Sequence, residues 1–495
     1  MPKGITQPDW LMSAAHDAPE APALLANGKT LSYAEFDAAV TDQATRLAAD
    51  SVRAGMRIGV LLPNTIDSVV LLWALWRVGA TVVLLNRRLT DDERAYQVAA
   101  AGCERVIEPQ RREGRNEAGY GLPAQPEFTR LQVAAILFTS GTSGRPKGVQ
   151  LTFNNLYYAA MASTLRLGNE LNDRWLLTLP LYHVGGLSIL VRAVLCRASV
   201  VLHDGFDVNA VYHALTHDHI TLVSLVPTML YRLMRYQVSE NSAAQDSSRI
   251  RHYSSLRLIL LGGAAASAEL LAEAAARGIP IAPTYGLTEA GSQVATLMPD
   301  EARNKPGSVG KPLPFMRLRV VDADGNELPP DEPGEIVVYG PNVMWGYLGE
   351  THDIPLTQWG TPARLPYQDG FRTGDIGYLD EDGDLFVLQR RSDLIVTGGE
   401  NVYPAEVERV LREHPDVTDV CVVGIADAEW GQRVGAALIT HHSSLITIER
   451  FAREHLAGYK VPRVWRIVDA LPLTASGKVD RAAVARLLAE QNQNP

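Results

Sequence analysis

The sequence predicts an α/β protein. It comprises a large N-terminal domain of two largely parallel sheets with helices and a small β subdomain, followed by a small α+β C-terminal domain. Three observations predict this. Short apolar strands alternate with helical segments between Arg57 and Ala282; after Gly307 the alternation gives way to short β segments separated by turns; and past Arg390-Arg391-Ser392-Asp393 a compact mixture of helices and strands follows.

Taken in order, Arg57 to Leu62 reads as a strand, Asp67 to Val78 as an apolar helix and Thr81 to Leu85 as a second strand. This is a βαβ unit, whose crossover should be right-handed. The apolar run Val133 to Phe138 is a buried strand. Further strands are expected at Trp175 to Leu179, Ser199 to Leu202, Thr221 to Leu225, Leu256 to Leu261 and Ile281-Ala282. Helices fall between them at Gly186 to Cys196, Asp207 to Leu215, Pro227 to Met234 and Ala268 to Ala276. Such alternation argues for parallel sheets covered on both faces.

The β segments Arg317 to Val321, Glu335 to Tyr339 and Leu385 to Leu388, with turns at Asp324-Gly325 and Asp382-Gly383, predict a barrel-like subdomain over 307–391. Beyond it, helices at Pro404 to Arg412, Ile448 to Leu456 and Arg481 to Leu488 accompany strands at Val417 to Val423 and Val434 to Ile439. The domains are therefore placed at 1–391 and 392–495, the second of an ordinary small-domain size.

A chain of 495 residues is too long for one ordinary core. Its net charge of −10 implies no basic face, which argues against nucleic acid as a partner. Cys103, Cys196 and Cys421 lie far apart, so neither a disulfide framework nor a zinc site is indicated, and the cytoplasm is the expected compartment. The N-terminal residues lack the apolar core of a signal peptide. The stretch Val69 to Leu85 is interrupted by Arg77 and Gly79, so no transmembrane segment is expected.

Chemistry is first legible in Phe138-Thr139-Ser140-Gly141-Thr142-Ser143-Gly144-Arg145-Pro146-Lys147-Gly148. Its glycines let backbone N–H groups converge on an anion, and its hydroxyls and cations add donors. The spacing does not fit a Walker A loop. A mobile Gly/Ser linker is the plainer alternative, but Lys-Gly after Arg-Pro directly behind a strand favours a phosphate cradle.

This string resembles the signature of the acyl-adenylate-forming superfamily, which includes acyl-CoA synthetases, peptide-synthetase adenylation domains and luciferases. The resemblance covers almost the whole chain. It implies that Thr139, Ser140, Gly141, Thr142, Ser143, Gly144 and Lys147 close over the β- and γ-phosphates of ATP. Tyr285-Gly286-Leu287-Thr288-Glu289 is similar to the family string in which the tyrosine stacks on adenine and the threonine bonds the α-phosphate. There the glutamate serves Mg²⁺, here with Thr142 as a second ligand, and magnesium's preference for hard oxygen donors agrees with this. Gly262-Gly263-Ala264 resembles the other adenine wall, and Asp375 of Thr373-Gly374-Asp375, with Arg390, the ribose clamp.

The resemblance further implies a hinge at Ser392 and a mobile C-terminal lid. Within the lid, Gly398-Gly399 would line the passage for the pantetheine of coenzyme A, and Lys478 of Ser476-Gly477-Lys478 is similar to the catalytic lysine. A mobile ammonium bridging an attacking carboxylate and the α-phosphate would act where like charges meet.

The acid is expected along Leu179 to Arg192. His183 resembles the family's gate, and Ser188 and Arg192 lie one turn apart on one helix. Arg192 either snorkels to the surface or pairs a second carboxylate on the substrate, with Ser188 and Ser224 as lesser contacts. The second account agrees with a closer similarity, carried by this stretch with Gly286 to Gln293 and Arg390 to Ile395, to the family's ligases for an aromatic dicarboxylic acid. The expected activity is two-step: ATP, Mg²⁺ and a small-molecule carboxylic acid give an acyl-adenylate, which coenzyme A converts to a thioester. His183, Thr288 and Lys478 are the expected catalytic residues. The rivals are a ligase for another aryl or fatty acid and a non-catalytic nucleotide-binding sensor. Oligomeric state is left open, a homodimer being one form.

Overall fold

The computed structural model describes residues 6–109, 127–139, 145–170, 172–236, 255–302, 304–350, 367–389, 394–440, 445–472 and 479–490. Its organising element is the helix Ile66–Val78, which is apolar on every side and carries the fully buried Trp73 and Trp76. A helix of that composition must be covered all round. It packs on the strand Thr81–Leu84 of one sheet and on Pro22–Ala26 of another. Its ends are set locally: the Thr65 hydroxyl accepts from the Ser68 amide, and Gly79 stops it in the left-handed region at φ 88°.

The first sheet has six strands in the order Gly346–Tyr347, Lys147–Thr152, Val133–Thr139, Thr81–Leu84, Arg57–Val60 and Arg105–Ile107. The four strands from Val133–Thr139 to Arg105–Ile107 are parallel neighbours. The second sheet has nine strands, and its centre, Ile281–Leu287, Leu258–Leu261, Leu222–Leu225, Arg174–Leu177 and Ser199–Leu202, is wholly parallel. Two sheets, largely parallel and helix-covered, are the architecture expected from the alternation.

Where sequence and structure differ, the cause is local. The strand Val133–Thr139 pairs antiparallel with Lys147–Thr152, so that Thr139 and Lys147, near the two ends of the phosphate string, lie opposite each other; Ser140 to Gly144 lie outside the described residues. Instead of a barrel, the subdomain after Gly307 is an open four-stranded antiparallel sheet of Arg317–Val321, Gly334–Tyr339, Phe371–Leu379 and Leu385–Gln389. Its two outer strands are not paired with each other among the described residues. The helix Tyr33–Ala49, unforeseen from its mixed polar sequence, begins in a capping box of Ser32 and Glu35.

The C-terminal sheet orders Glu400–Val402, Ile395–Thr397, Gly431–Thr440 and Val417–Asp427, with Val464–Ile467 alongside Gly431–Thr440. The helices Pro404–Arg412, Leu445–His455 and Arg481–Glu490 accompany it. It has its own core, centred on Val422, Ala436, Leu438 and Ile448. Among the described residues no helix is long and apolar enough to cross a membrane.

Candidate active site

A cleft of about 710 Å³ lies where the carboxyl ends of the parallel strands meet the C-terminal domain. Ligands bind at such strand ends in open α/β sheets. One wall is built on the hairpin Ile281–Leu287 and Ser292–Thr296. Gly286 must be glycine there, since a Cβ would stand 1.9 Å from the Ser292 carbonyl oxygen. The price of that close approach is Ser292 at φ 124°, a conformation rare for a residue with a side chain.

Between the strands, Thr288–Ala290 forms one 3₁₀ turn, closed by Gly291 at φ 68°. The turn presents Thr288 and Glu289 to the cleft. Glu289 is buried, its Oε1 accepting from the Tyr347 hydroxyl at 2.8 Å. A buried carboxylate beside a threonine hydroxyl is a hard-oxygen donor set that fits Mg²⁺ shared with phosphate oxygens.

Thr139, Gly262, Gly263, Thr373 and Asp375 line the same cleft. Asp375 is held from two sides: its Oδ2 accepts from the Tyr285 hydroxyl at 2.7 Å, and its amide donates to Thr373 Oγ1 at 3.1 Å.

Three expected nucleotide contacts are not among the residues that line the cleft. Tyr285 is fully buried and does not line the cleft; its neighbours Thr284 and Gly286 do. Its hydroxyl instead fixes Asp375. Lys147 is drawn to the Tyr347 ring, 5.0 Å from its centroid, and Ala264 stands beyond the lining glycines. Arg390, Ser392 and Lys478 lie outside the described residues.

The part of the cleft where the sequence leads one to expect the acid is lined by Tyr182, His183, Ser188, Ser224, Ser292 and Gln293. His183 precedes the helix Val184–Cys196, whose first turn packs so tightly that a Cβ on Gly186 would stand 2.4 Å from the Pro180 carbonyl oxygen. The Ser188 hydroxyl donates to the Gly185 carbonyl at 3.0 Å and lies 3.4 Å from Ser292 Oγ.

Arg192 does not reach this space. It is buried behind the wall, donating to Ser163 Oγ and, at 3.0 Å, to Gln293 Oε1, with its guanidinium 4.2 Å from the Trp175 ring centroid. Burial pushes the guanidinium down to about 10, still above neutrality, and no acidic side chain pairs with it among the described residues. The helix that carries Arg192 turns it away from the cleft, and Gln293, to which it donates, stands between. Ser292 and Gln293 line the cleft, although in the sequence they stood only within the string that carries the closer similarity and had no role of their own.

The C-terminal domain completes the enclosure with Gly398, Gly399, Glu400, Asn401, Tyr403 and Trp430. Gly398 and Gly399, at φ 59° and 85°, form the turn between Ile395–Thr397 and Glu400–Val402. Cβ atoms here would stand 2.8 Å from the Trp430 ring and 3.1 Å from Val226, so bare backbone is required. A narrow thiol-bearing arm fits such a passage.

Glu400 was not foreseen as a functional residue. Its buried carboxylate lies 3.1 Å from His183 Nε2 and accepts from Arg88 at 3.1 Å and Tyr182 at 3.3 Å. Burial opposes its charge, yet His183, Arg88 and Tyr182 hold the carboxyl below the ordinary glutamate range. His183 and the C-terminal domain are thus joined directly. By contrast, the clustered Asp380, Asp382 and Asp384 are bridged by Lys305, 2.6 Å from Asp380 and 2.5 Å from Asp382. They are not lining residues of the cleft.

The model of the family described as AMP-binding enzyme matches residues 11–348, and that of the AMP-binding enzyme C-terminal domain matches 406–478. The chain belongs to the AMP-binding enzyme family. A curated relative, 2-succinylbenzoate–CoA ligase of Bacillus subtilis (strain 168), is 38% identical over 492 residues, covering 96% of this chain and 97% of the relative. A double mutant of o-succinylbenzoate CoA synthetase from Bacillus subtilis, bound with its product analogue OSB-NCoA, superposes with a TM-score of 0.86 at 37% identity, covering 97% and 99% of the two chains.

Complexes of the Bacillus subtilis protein with the acyl-adenylate intermediate OSB-AMP and with ATP and magnesium ion both give 0.69, at 38% and 37% identity. The first covers 97% of this chain and 98% of that one, the second 97% and 99%. Identity and coverage barely change between these comparisons. The difference in score therefore reports arrangement rather than divergence, and the arrangement here is nearer that of the product-analogue complex.

Proposed function

We propose that this chain joins 2-succinylbenzoate to coenzyme A in an ATP-dependent, AMP-forming ligation within menaquinone biosynthesis. The observation that carries the reading is the joint lining of one cleft by Thr288, Glu289 and Asp375 from one domain and Gly398, Gly399 and Glu400 from the other. Full-length similarity to ligases for that acid supports the choice of substrate.

In the first half-reaction a carboxylate oxygen attacks the α-phosphorus of ATP, the bond to the β-phosphate breaks, and pyrophosphate leaves. Thr139 and Thr288 present hydroxyls to the phosphates, Asp375 accepts from the ribose, and Gly262-Gly263 let a flat base approach. Mg²⁺, held by Glu289 and phosphate oxygens, would neutralise charge on the leaving pyrophosphate. Lys478, from the lid, would bridge carboxylate and α-phosphate as negative charge redistributes.

In the second half-reaction the thiolate of coenzyme A attacks the acyl carbonyl and AMP leaves. The arrangement described here suits this step: Gly398-Gly399 leave room for the pantetheine, and His183 is held by Glu400 at the entrance. Ser188, Ser224, Ser292 and Gln293 would receive the acid's second carboxylate, with Arg192 behind Gln293 supplying positive potential in a low-dielectric wall.

The test is a panel of acids, including 2-succinylbenzoate, benzoate and a medium-chain fatty acid, assayed with ATP and coenzyme A for AMP and thioester. The expected result is a kcat/KM for 2-succinylbenzoate exceeding that for benzoate by about 10³-fold or more, because a polar pocket built for a carboxylate is left unpaired by an acid lacking it. Equal turnover of the fatty acid would identify the rival ligase. Nucleotide binding without AMP from any acid would identify a sensor.

A further inference from the structure

A buried ionic chain away from the reacting atoms joins the two domains. Lys460 of the C-terminal domain, with its side chain 3% exposed, places Nζ 2.7 Å from Glu93 Oε1 and 2.8 Å from Glu406 Oε1. Glu93 belongs to the N-terminal domain, in the first turn of the helix Asp91–Ala101. Its other oxygen accepts from the Thr90 amide at 2.9 Å and, across the domain boundary, from the Ala457 amide at 3.1 Å. Glu406 lies in the first turn of the helix Pro404–Arg412, directly after the cleft-lining segment 398–403. The same face carries Tyr459, whose hydroxyl accepts from Asn86 at 3.3 Å and whose ring lies 5.2 Å from the Arg88 guanidinium that reaches Glu400.

This chain is built to part cleanly. Removing one member of a buried ion pair is costly because a charge is left uncompensated. Here separation of the domains strands no charge: Lys460 keeps Glu406 on its own domain, and Glu93 keeps its hydrogen bonds to Thr90. Shut, the contact ties residues 398–403, through Glu406 and Lys460, to a helix of the N-terminal domain.

We propose that Glu93 and Lys460 are positioning residues for thioester formation: paired, they seat residues 398–403 in the cleft, and they part for adenylation. The proposal rests on the ligase reading above. A two-state device of this kind acts only through its differential contacts in the two states.

The test uses the full chain and separates the half-reactions. Pyrophosphate release with 2-succinylbenzoate and no coenzyme A reports adenylation, and a single turnover of isolated acyl-adenylate with coenzyme A reports thioester formation. In Glu93→Gln, whose amide can still cap Thr90, and in Lys460→Met, thioester formation should slow by about tenfold or more while adenylation stays within about twofold of the parent. The double variant should be no slower than the slower single one, since one contact is lost in each. Equal slowing of both half-reactions, or an unchanged thioester step, would overturn the proposal.

Should Lys460→Met fail to fold, Glu93→Gln alone decides. Should the parent make no acyl-adenylate from any acid, it is the ligase reading that fails, and hydrogen exchange then judges the contact. The Ala457–Lys460 amides should exchange faster in Glu93→Gln than in the parent, with the strand Gly431–Thr440 unchanged; equal exchange would mean the contact does not hold the domains.

Discussion

Lys478→Ala should slow acyl-adenylate formation by about 10²–10³-fold, the usual consequence of removing one preorganised group from a developing charge. Thioester formation from preformed acyl-adenylate should remain close to the parent's. The reasoning is electrostatic. A carboxylate and a triphosphate repel as they approach, and the ammonium is most valuable where negative charge passes from one to the other. Thioester formation replaces that encounter with attack on a carbonyl whose leaving group is already activated. Quenched-flow measurement of acyl-AMP without coenzyme A, beside single turnover of isolated adenylate, separates the two. Equal loss in both would place Lys478 in a shared, structural role.

Gly399→Val should give the opposite pattern. A Cβ at this position would stand 3.1–3.5 Å from the Val226 side chain across the domain boundary, on a backbone at φ 85°. A β-branched residue there is strained as well as crowded, and the C-terminal domain must back away. Misplacing a docking surface by about 1 Å can cost about 10²-fold, and that is the expected loss in thioester formation. The Val226 contact exists in the arrangement described here, so adenylation should be largely spared. A thermal-unfolding midpoint near the parent's would confirm that docking, not folding, is affected; a parallel fall in both half-reactions would contradict this account of the glycine.

These expectations come from different depths of the sequence. The parallel architecture was legible because Ile58, Val60, Val82, Val83 and their counterparts are buried on both faces of a sheet and so form continuous apolar runs. The phosphate string and Thr288-Glu289 stood out because anion cradles and hard-oxygen ligands need particular residue types in sequence, and Thr139, Thr288 and Glu289 do line one cleft. Contacts between distant segments were not. Nothing local announces that Glu400 meets His183, 217 positions earlier in the chain, or that Tyr285 spends its hydroxyl on Asp375.

Arg192 illustrates the same limit. An arginine on an apolar helix signals a purpose, but whether its guanidinium enters the cleft or stops behind Gln293 depends on helix rotation against Trp175, which spacing alone does not encode. Gln293 and Ser292 were assigned no role because their place in the cleft follows from the Gly286 hairpin, whose close approach appears only once the strands are paired.

The central claim is that one cleft carries a carboxylate through an acyl-adenylate to a thioester, with the C-terminal domain serving each step in turn. It is tested most directly with 2-succinylbenzoate labelled with ¹⁸O in its aliphatic carboxylate, turned over with ATP and coenzyme A, and the AMP analysed by mass spectrometry. Attack of that carboxylate on the α-phosphorus predicts AMP carrying one ¹⁸O, formed in step with the thioester. Unlabelled AMP, or label in inorganic phosphate with ADP as the nucleotide product, would contradict it.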